Sequence, residues 1–361
     1  MNVIDPDLRL SEFDYDLPAD LIAQMPLSDR DASRMLVVDR ASNLLIHSAV
    51  RNLPGWLEPG DLIVANNTRV MPARLKAIKP TTGAKIEILL LNRDDVGVWS
   101  ALAKPTKKLG VGLRLDLIGK SDRVADAVEI VELETEGIVR LRFASGLEGR
   151  LDEFGDAPLP PYIKERLADP ERYQTVFSQE LGSAAAPTAG LHITSDLRQR
   201  LLDRGVGWAE VTLHVGLDTF RPVSVERVAE HKIHREWQRV PQETADAIAR
   251  TRVNGGRVIA LGTTAARTLE TLGRTWRDAN SGGIEAWTDI FITPGYAWTL
   301  VDGLVTNFHL PKSTLLMMVS SLAGTEEIKA AYSAAIIERY RFFSFGDAML
   351  ILPNSNHATE R

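Results

Sequence analysis

The segment RVIALGTTAAR, residues 257–267, gives the clearest indication of the fold class. Its apolar residues up to Leu261 predict a short buried strand, and the small residues that follow predict a turn into a helix. Helices are also predicted over 241–254 and 312–323, with a strand over 288–292 between them. Strands that alternate with helices in this way are typical of an α/β sheet.

The pattern changes between about Met71 and Phe143. Short runs rich in β-formers follow one another here, separated by Gly, Asp and Lys, without helical periodicity between them. Such spacing is typical of a small barrel or sandwich. The sequence therefore predicts a discontinuous α/β domain, residues 1–70 and 157–361, into which a small antiparallel β-barrel domain, residues 71–156, is inserted.

The composition excludes several classes of protein. With 361 residues, 44% hydrophobic and 25% charged, the chain is ordinary for a soluble globular protein. It has no cysteine, which excludes disulfides, thiolate nucleophiles and sulfur-ligated metal sites. No apolar run is long enough for a membrane span, the first residues do not form a signal peptide, and no heptad pattern is present. We therefore expect a cytoplasmic monomer that contacts no membrane.

The segment HKIHREW, residues 231–237, carries the densest group of titratable side chains. In a helix His231 and His234 would share a face, and a metal site would be one interpretation. In an extended segment His234 and Glu236 would share one side, which suits acid–base chemistry better than chelation. A purely structural role for each histidine is the third alternative.

Two further segments place polar groups beside helix starts. In TNFHLPKST, residues 306–314, His309 stands in a loop that enters an apolar helix, where backbone N–H groups favour negative charge. A purely structural role in capping and turning the chain is the alternative for this segment. In the 257–267 stretch, Gly262 allows a ligand to approach closely, and Thr263 and Thr264 offer hydroxyls beside free N–H groups. This turn lacks both the dinucleotide fingerprint and the P-loop lysine, so it identifies no particular nucleotide.

Three more segments are candidates for binding. The small residues of GSAAAPTAGLH, residues 182–192, would let a planar ligand lie close, with a flexible loop as the alternative. Asn66, Asn67, Thr68 and Arg69 follow a buried strand, where α/β folds commonly form binding crevices. The alternating arginines and aromatic residues of 339–347 would suit base stacking, although its phenylalanines fit the core equally well.

Together these segments resemble one family, the S-adenosylmethionine:tRNA ribosyltransferase-isomerases of queuosine biosynthesis. The resemblance runs nearly end to end and rests on long stretches in order. They include FDYDLPADLIAQMPLSDRDASRMLVVDR at 13–40, GDLIVANNTRVMPARL at 60–75, GSAAAPTAGLHIT at 182–194, HKIHREW at 231–237, FITPGYAWTLVDGLVTNFHLPKSTLLMMVSSLAG at 291–324 and YRFFSFGDAMLI at 340–351.

The resemblance implies an α/β domain with an inserted β-barrel and no bound metal or redox cofactor. S-adenosylmethionine is implied as a co-substrate that donates its ribosyl carbons. The acceptor would be 7-aminomethyl-7-deazaguanine at the wobble position of tRNA, and the products would be epoxyqueuosine-tRNA, adenine and methionine.

This chemistry needs a base for the ribose C5′ proton and an acid for the departing adenine, and without cysteine these fall to histidines and carboxylates. The catalytic candidates, whose individual roles stay open, are His214, His231, His234, Glu236, Asp302 and His309. The substrate-binding candidates are Asn66, Asn67, Thr68, Arg69, Thr188, Gly190, His192, Gly262, Thr263, Thr264, Asn307 and Arg341. No metal ligand is expected.

The net charge of −6 does not by itself indicate a nucleic-acid partner. We expect a local basic face for tRNA, formed by Lys104, Lys107, Lys108, Lys164 and Arg166. Two rival functions remain: a methyltransferase with the same donor, although the chain lacks a glycine-rich donor loop near its start, and a non-catalytic tRNA-binding protein, which would not need clustered polar residues such as those at 307–309.

Overall fold

A computed structural model of the chain describes residues 4–93, 97–107, 109–120, 124–144, 146–216, 223–276 and 282–353, without the side chains of 124–127 and 136. In chain order the strands are β1 (Arg34–Asp39), β2 (Leu44–Ala49), β3 (Leu62–Asn66), β4 (Thr68–Val70), β5 (Arg74–Ile78), β6 (Lys85–Arg93), β7 (Val98–Lys104), β8 (Arg114–Ile118), β9 (Val124–Leu133), β10 (Ile138–Phe143), β11 (Gly155–Asp156), β12 (Glu180–Ser183), β13 (Gly207–Leu213), β14 (Glu236–Val240), β15 (Val258–Leu261), β16 (Ile284–Thr288), β17 (Gly303–Asn307) and β18 (Ala348–Leu352). The α-helices are α1 (Ser195–Asp203), α2 (Gln242–Val253), α3 (Thr263–Gly273), α4 (Thr314–Ala323) and α5 (Thr325–Ile337).

The larger sheet has nine strands in the order β16-β14-β13-β3-β15-β17-β18-β1-β2. Its centre is parallel: β13 pairs with β3, β3 with β15 and β15 with β17. Every residue of β3, β15 and β17 is buried. Continuous burial of this kind arises where both faces of a parallel sheet are covered, which is why these strands are runs of apolar residues rather than alternating patterns.

Two apolar layers cover this sheet. On one face, Val64 and Ala260 pack in a cluster that includes residues of α2 to α5. On the opposite face, Ile63 and Ile259 pack with residues of α1 and of the 3-10 segment Val50–Trp56. The alternate side chains of each central strand therefore serve two separate layers, and the strand ends are left to form a crevice.

The second sheet is a closed barrel. Strands β5, β6, β7, β10, β9 and β8 follow one another in antiparallel pairs, and β8 returns to pair with β5. Burial alternates along β6 because its inward side chains fill the barrel. The predicted fold class, an α/β domain beside a small antiparallel barrel, is confirmed. The domain boundaries, 1–70 and 157–361 against 71–156, stay a prediction.

Three sequence-based expectations differ from the structure. The strand expected over 288–292 lies earlier, as β16, because β16 is the edge strand that pairs along β14, whereas 290–292 is an apolar loop packed in the core. The helix expected from 312 begins at Thr314, since Ser313 caps it by accepting a hydrogen bond from Leu316 N. The small-residue segment 184–192 is buried, and its last five residues form a 3-10 helix.

The carboxyl ends of the central strands meet at one edge of the large sheet. Strand β3 ends at Asn66, β15 runs into Gly262 at the start of α3, and β17 ends at Asn307. Because these strands are parallel, their polar terminal residues come together. Crevices at this edge are the usual ligand sites of α/β sheets.

Candidate active site

The first of two cavities at this edge, here called the apolar pocket, encloses about 750 Å³ that is partly open to solvent. Alanines of the 182–192 segment, the start of α3, the loop after β17 and Phe343 form most of its wall. The lining residues that the sequence predicted for binding or catalysis are Thr188, Gly262, Thr263, Thr264, Asn307 and His309. A mainly apolar wall with a few polar groups is typical of a small-molecule site.

Protein contacts fix the amide of Asn307. Thr188 Oγ1 donates to Asn307 Oδ1 at 3.0 Å, and Asn307 Nδ2 lies 3.1 Å from His192 Nε2. Burial lowers the pKa of His192 to about 4, so at neutral pH its Nε2 accepts the bond from Nδ2. Asn307 therefore presents its remaining N–H and its second oxygen lone pair to the pocket, while His192 stands behind it.

His309 enters the same pocket as a neutral ring. Its ring Nε2 lies 2.9 Å from Thr306 Oγ1. The backbone N–H of His309 donates to Tyr332 Oη at 2.8 Å, and its backbone carbonyl accepts from Tyr15 Oη. Burial lowers the pKa of the ring to about 3. Since Nε2 is engaged with Thr306, Nδ1 is the ring nitrogen that remains for a ligand.

The start of α3 is held in place by Asn66. Asn66 Nδ2 donates to Thr264 Oγ1 at 3.1 Å and to the Leu213 carbonyl at 3.0 Å, and its Oδ1 accepts from the N–H groups of Leu213 and Thr68. Gly262 has φ of 94°, a conformation that favours glycine, and brings the first N–H groups of α3 to the pocket. Asn66 is thus bonded to a residue that lines the pocket and is not itself part of the lining.

The second cavity, here called the charged pocket, encloses about 1240 Å³, also partly open to solvent. Its wall includes residues 230–236, of which Glu230 ends a 3-10 turn, 231–235 form neither helix nor strand, and Glu236 begins β14. Residues 231–236 are therefore not helical, and the acid–base interpretation of this segment stays a prediction. Charged and titratable side chains predominate among its polar residues, which are Ser224, Glu230, His231, Lys232, His234, Arg235, Glu236, Arg267 and Thr314. Burial and the neighbouring His234 lower the pKa of His231.

A buried ion pair lies in the wall of the charged pocket. Arg267 Nη1 contacts Glu236 Oε2, and the two side chains are 7% and 5% exposed. Glu236 Oε1 also accepts from Gly216 N at 3.0 Å. Arg267 Nε and Nη2 have no hydrogen-bond partner among the residues that the structure describes. Buried guanidinium donors without partners are costly, so these two nitrogens distinguish the pair from an ordinary structural ion pair.

The two pockets meet at the start of α4. Leu315 lines both of them, Thr314 lines the charged pocket, and Ser313 lines the apolar one. On the other side, Val215 lines the apolar pocket and its neighbour Gly216 lines the charged one. The two cavities therefore adjoin at Leu315, here called the junction of the crevice, and the start of α4 forms part of the wall of both.

The structure does not bring every catalytic candidate to this crevice. His214 packs against Trp237 with ring centroids 4.9 Å apart, and its Nδ1 lies 2.8 Å from Thr68 Oγ1. Burial lowers its pKa to about 4. Asp302 accepts from Val258 N at 2.8 Å and precedes β17, so it lies at the opposite end of that strand from Asn307. Of the other four candidates, His231, His234 and Glu236 line the charged pocket and His309 lines the apolar pocket.

Several binding candidates contact other parts of the protein. Asn67 accepts from Thr212 Oγ1 at 2.8 Å, and Arg69 donates to Ser178 and Glu171. Arg341 is bonded to the buried Asp347 at 2.9 Å. Gly190 fits tightly beneath Phe177, where an added Cβ would lie 2.8 Å from the ring. These residues support the crevice from behind.

Sequence reasoning did not select Arg267, Leu315 or Phe343. Arg267 stood in the stretch 257–267, and an arginine in a helix of mostly small and apolar residues was the signal that could have found it. Across the described ranges, no group of three or more His, Asp or Glu side chains is arranged to hold a metal ion. Within the same part of the chain, the helices are too short or too polar to cross a membrane.

Comparison with known proteins agrees with this architecture. The family model described as queuosine biosynthesis protein matches residues 10–351. The chain belongs to the queuosine biosynthesis protein family. An S-adenosylmethionine:tRNA ribosyltransferase-isomerase of Staphylococcus haemolyticus is 51% identical over 346 residues, 96% of this chain and 100% of the relative. A protein of the same name from Symbiobacterium thermophilum is 52% identical over 352 residues, again 96% of this chain and 100% of the relative.

A solved structure is also similar. The crystal structure of an S-adenosylmethionine tRNA ribosyltransferase from Thermotoga maritima shares 38% identity with a TM-score of 0.55, covering 94% of this chain and 100% of that one. The predicted family and enzyme class, a ribosyltransferase-isomerase of queuosine biosynthesis, are therefore confirmed.

Proposed function

We propose that this enzyme transfers and isomerises the ribosyl moiety of S-adenosylmethionine onto 7-aminomethyl-7-deazaguanine at the wobble position of tRNA. The products are epoxyqueuosine-tRNA, adenine and methionine. The names of the similar proteins support S-adenosylmethionine and tRNA as the two substrates. No prosthetic group takes part in this scheme.

The observation that carries the proposal is the junction of two unlike pockets at Leu315. S-adenosylmethionine is a planar, neutral adenine at one end and a zwitterionic amino acid at the other, joined through ribose and sulfonium. We place the adenosyl end in the apolar pocket, against Phe343 and Asn307, and the methionine end in the charged pocket. The ribose, where the bonds change, then lies at the junction.

The proton transfers fall to the histidines of the charged pocket. The sulfonium acidifies the ribose C5′ proton, and a base that removes it leaves an ylide from which adenine departs. An effective base has a pKa near the operating pH. His309, with a pKa of about 3, is too weak a base for this step, so we assign the step to His231 or His234, which line the charged pocket. His309 instead hydrogen-bonds the adenosyl end without adding a positive charge beside the sulfonium.

The acceptor base reaches the junction through the open side of the charged pocket. It leaves its stack in the anticodon loop to do so, as base-modifying enzymes require. Its amine attacks in the unprotonated form. Lys104, Lys107, Lys164 and Arg166 are exposed and serve the tRNA backbone in this scheme. Lys108, the fifth residue predicted for this face, lies outside the described residues.

The remaining parts of the proposal concern organisation. The barrel of residues 71–156 is an inserted domain, and the enzyme acts as a cytoplasmic monomer. Phosphate contacts make the affinity for tRNA fall steeply as salt rises. An affinity for tRNA that is the same at low and high salt would contradict this electrostatic part alone.

The deciding experiment is a product assay. The purified enzyme is incubated with S-adenosylmethionine and tRNA that carries the aminomethyl-deazaguanine, and the small molecules are separated by chromatography. We expect equal amounts of free adenine and methionine, dependent on that tRNA. S-adenosylhomocysteine in their place would show methyl transfer, and tRNA binding without either product would show a binding protein.

A further inference from the structure

The guanidinium group of Arg267 lies in the wall of the charged pocket, where it can help to hold S-adenosylmethionine. Arg267 belongs to α3 and Glu236 to β14, so the ion pair joins the helix to the sheet in the wall of the charged pocket. Glu236 contacts the guanidinium through Nη1. Nε and Nη2, which form the opposite edge of the planar group, are left over, with no partner among the described residues.

That edge has a defined complement. Nε and Nη2 donate two parallel N–H bonds, the fork that matches both oxygens of a carboxylate or phosphate. Arg267 is 6% exposed, so both nitrogens lie just below the pocket surface. Arg267 is part of the lining of the charged pocket, so a ligand in this pocket lies beside the guanidinium group.

The N-terminus of α4 faces the same compartment. Thr314, the first residue of this ten-residue helix, lines the charged pocket. Unpaired N–H groups and the helix dipole favour an anion at this end. Lys232 and Arg235 on the wall add positive charge, and Glu230 adds the negative charge that a neighbouring ammonium group requires. This arrangement suits an amino-acid zwitterion.

We propose that Arg267 binds the carboxylate at the methionine end of S-adenosylmethionine; this inference rests on the proposed function. The deazaguanine is a weaker candidate for this edge, because carbon replaces N7 and removes one of the two acceptors that arginine uses on guanine. A tRNA phosphate is also disfavoured, since the polymer chain on both sides of a phosphodiester keeps it from reaching a buried guanidinium group. A carboxylate at the end of a flexible chain can reach this group.

The test compares S-adenosylmethionine with its decarboxylated analogue, by calorimetric binding to the wild-type enzyme and to Arg267→Lys. Lysine keeps the charge beside Glu236 and loses the fork. We expect the wild type to bind the analogue about 100-fold more weakly, since hydrogen bonds between charged groups are the strong ones. In Arg267→Lys this ratio falls below about 10-fold, and the KM for tRNA stays within about threefold of the wild type.

The matched control is Arg257→Lys. Arg257 forms a similar pair with the buried Asp61 before β15, at the opposite edge of the sheet from the pockets. We expect the Arg257→Lys variant to be less stable than the wild type but to keep the 100-fold ratio between the affinities for S-adenosylmethionine and its analogue. If Arg267→Lys does not fold, the neutral double variant Arg267→Gln/Glu236→Gln replaces it with the same expectation.

Two results would overturn the inference. One is a wild-type enzyme that binds both donors equally, and the other is a ratio that Arg267→Lys leaves unchanged. A variant that instead loses affinity for tRNA alone would assign Arg267 to a phosphate. Each of these outcomes leaves ribosyl transfer intact, whereas a wild-type enzyme that releases no adenine with the modified tRNA would contradict the proposed function itself.

Discussion

The two compartments of the crevice satisfy their polar groups in opposite ways. In the apolar pocket, Asn307 and His309 are bonded to neighbours in the protein, and burial keeps the histidine ring neutral. In the charged pocket, Arg267 keeps donors without protein partners. A wall of satisfied, neutral groups recognises shape, whereas a wall with unsatisfied charge recognises a charged ligand. We infer that the apolar pocket binds a ring system, and that the charged pocket binds the amino acid and carries out proton transfer.

The largest effect is expected from removing the histidines of the charged pocket. The double variant His231→Gln/His234→Gln lacks both bases at this wall, so kcat should fall by about 10²- to 10⁴-fold, with little change in the affinity for S-adenosylmethionine. The measurement is single-turnover adenine release. His47→Gln, a histidine bonded to Tyr340 away from both pockets, is the control and should keep wild-type kcat. A double variant within fivefold of the wild type would place proton transfer elsewhere.

Acid should destabilise the protein through its neutral buried histidines. Burial lowers the pKa of His192 to about 4 and that of His309 to about 3. Because the unfolded chain binds protons at these rings first, their contribution to stability is complete above about pH 6.5 and declines as the pH falls toward the folded-state pKa values. Between pH 7 and pH 5 the loss is about 2 kcal/mol for each ring.

Denaturant unfolding at a series of pH values measures this loss. The variant His309→Gln removes one of the two titrating rings. The loss of unfolding free energy that the two rings together cause on acidification should therefore fall by about half. An unchanged slope would mean that the His309 ring is accessible to protons in the folded state, and the contrast between the two pockets would weaken.

A matched pair of glycines separates backbone strain from pocket shape. Gly262 lines the apolar pocket with φ of 94°, and Gly60 has φ of 95° with open space around it. Alanine at either position should cost about 1–3 kcal/mol of unfolding free energy, because side chains disfavour this backbone region. Only Gly262→Ala should also weaken binding of S-adenosylmethionine, and equal affinities in the two variants would remove the α3 turn from the site.

The smallest effect is expected at His309. His309→Gln should raise the KM for S-adenosylmethionine by about 10-fold, the loss of about one hydrogen bond, while kcat changes by less than about threefold. Steady-state kinetics at saturating tRNA gives both values. A fall in kcat with an unchanged KM would instead give His309 the proton-transfer role assigned here to the other pocket.

Sequence patterns predicted the fold class and the central strands and helices better than the contacts between them. Strand β15 and helix α3 were predicted because apolar runs and a glycine turn are local signals. Strand β16 was misplaced because its position depends on pairing with β14, a strand far earlier in the chain. The final strand β18 and helix α5 were not predicted, although Gly346 and Gly324 stand just before them.

The site shows the same limit. The polar residues at strand ends were found because strand ends are recognisable, yet their roles depend on contacts distant in sequence. Asn66 was predicted to bind the ligand, but its amide is used by Leu213 and Thr264. Arg267 was not selected, because its importance comes from Glu236 on another strand. Periodicity cannot predict such pairings, which form only when the sheet assembles.

The most direct test of one donor spanning both pockets is to divide the donor into its parts. Binding of adenosine alone and of methionine alone is measured by ligand-observed NMR with the wild type, Asn307→Ala and Arg267→Lys. We expect Asn307→Ala to weaken adenosine only and Arg267→Lys to weaken methionine only. If both fragments lose affinity through the same variant while the other variant has no effect, the donor lies within a single pocket and the division of roles is wrong.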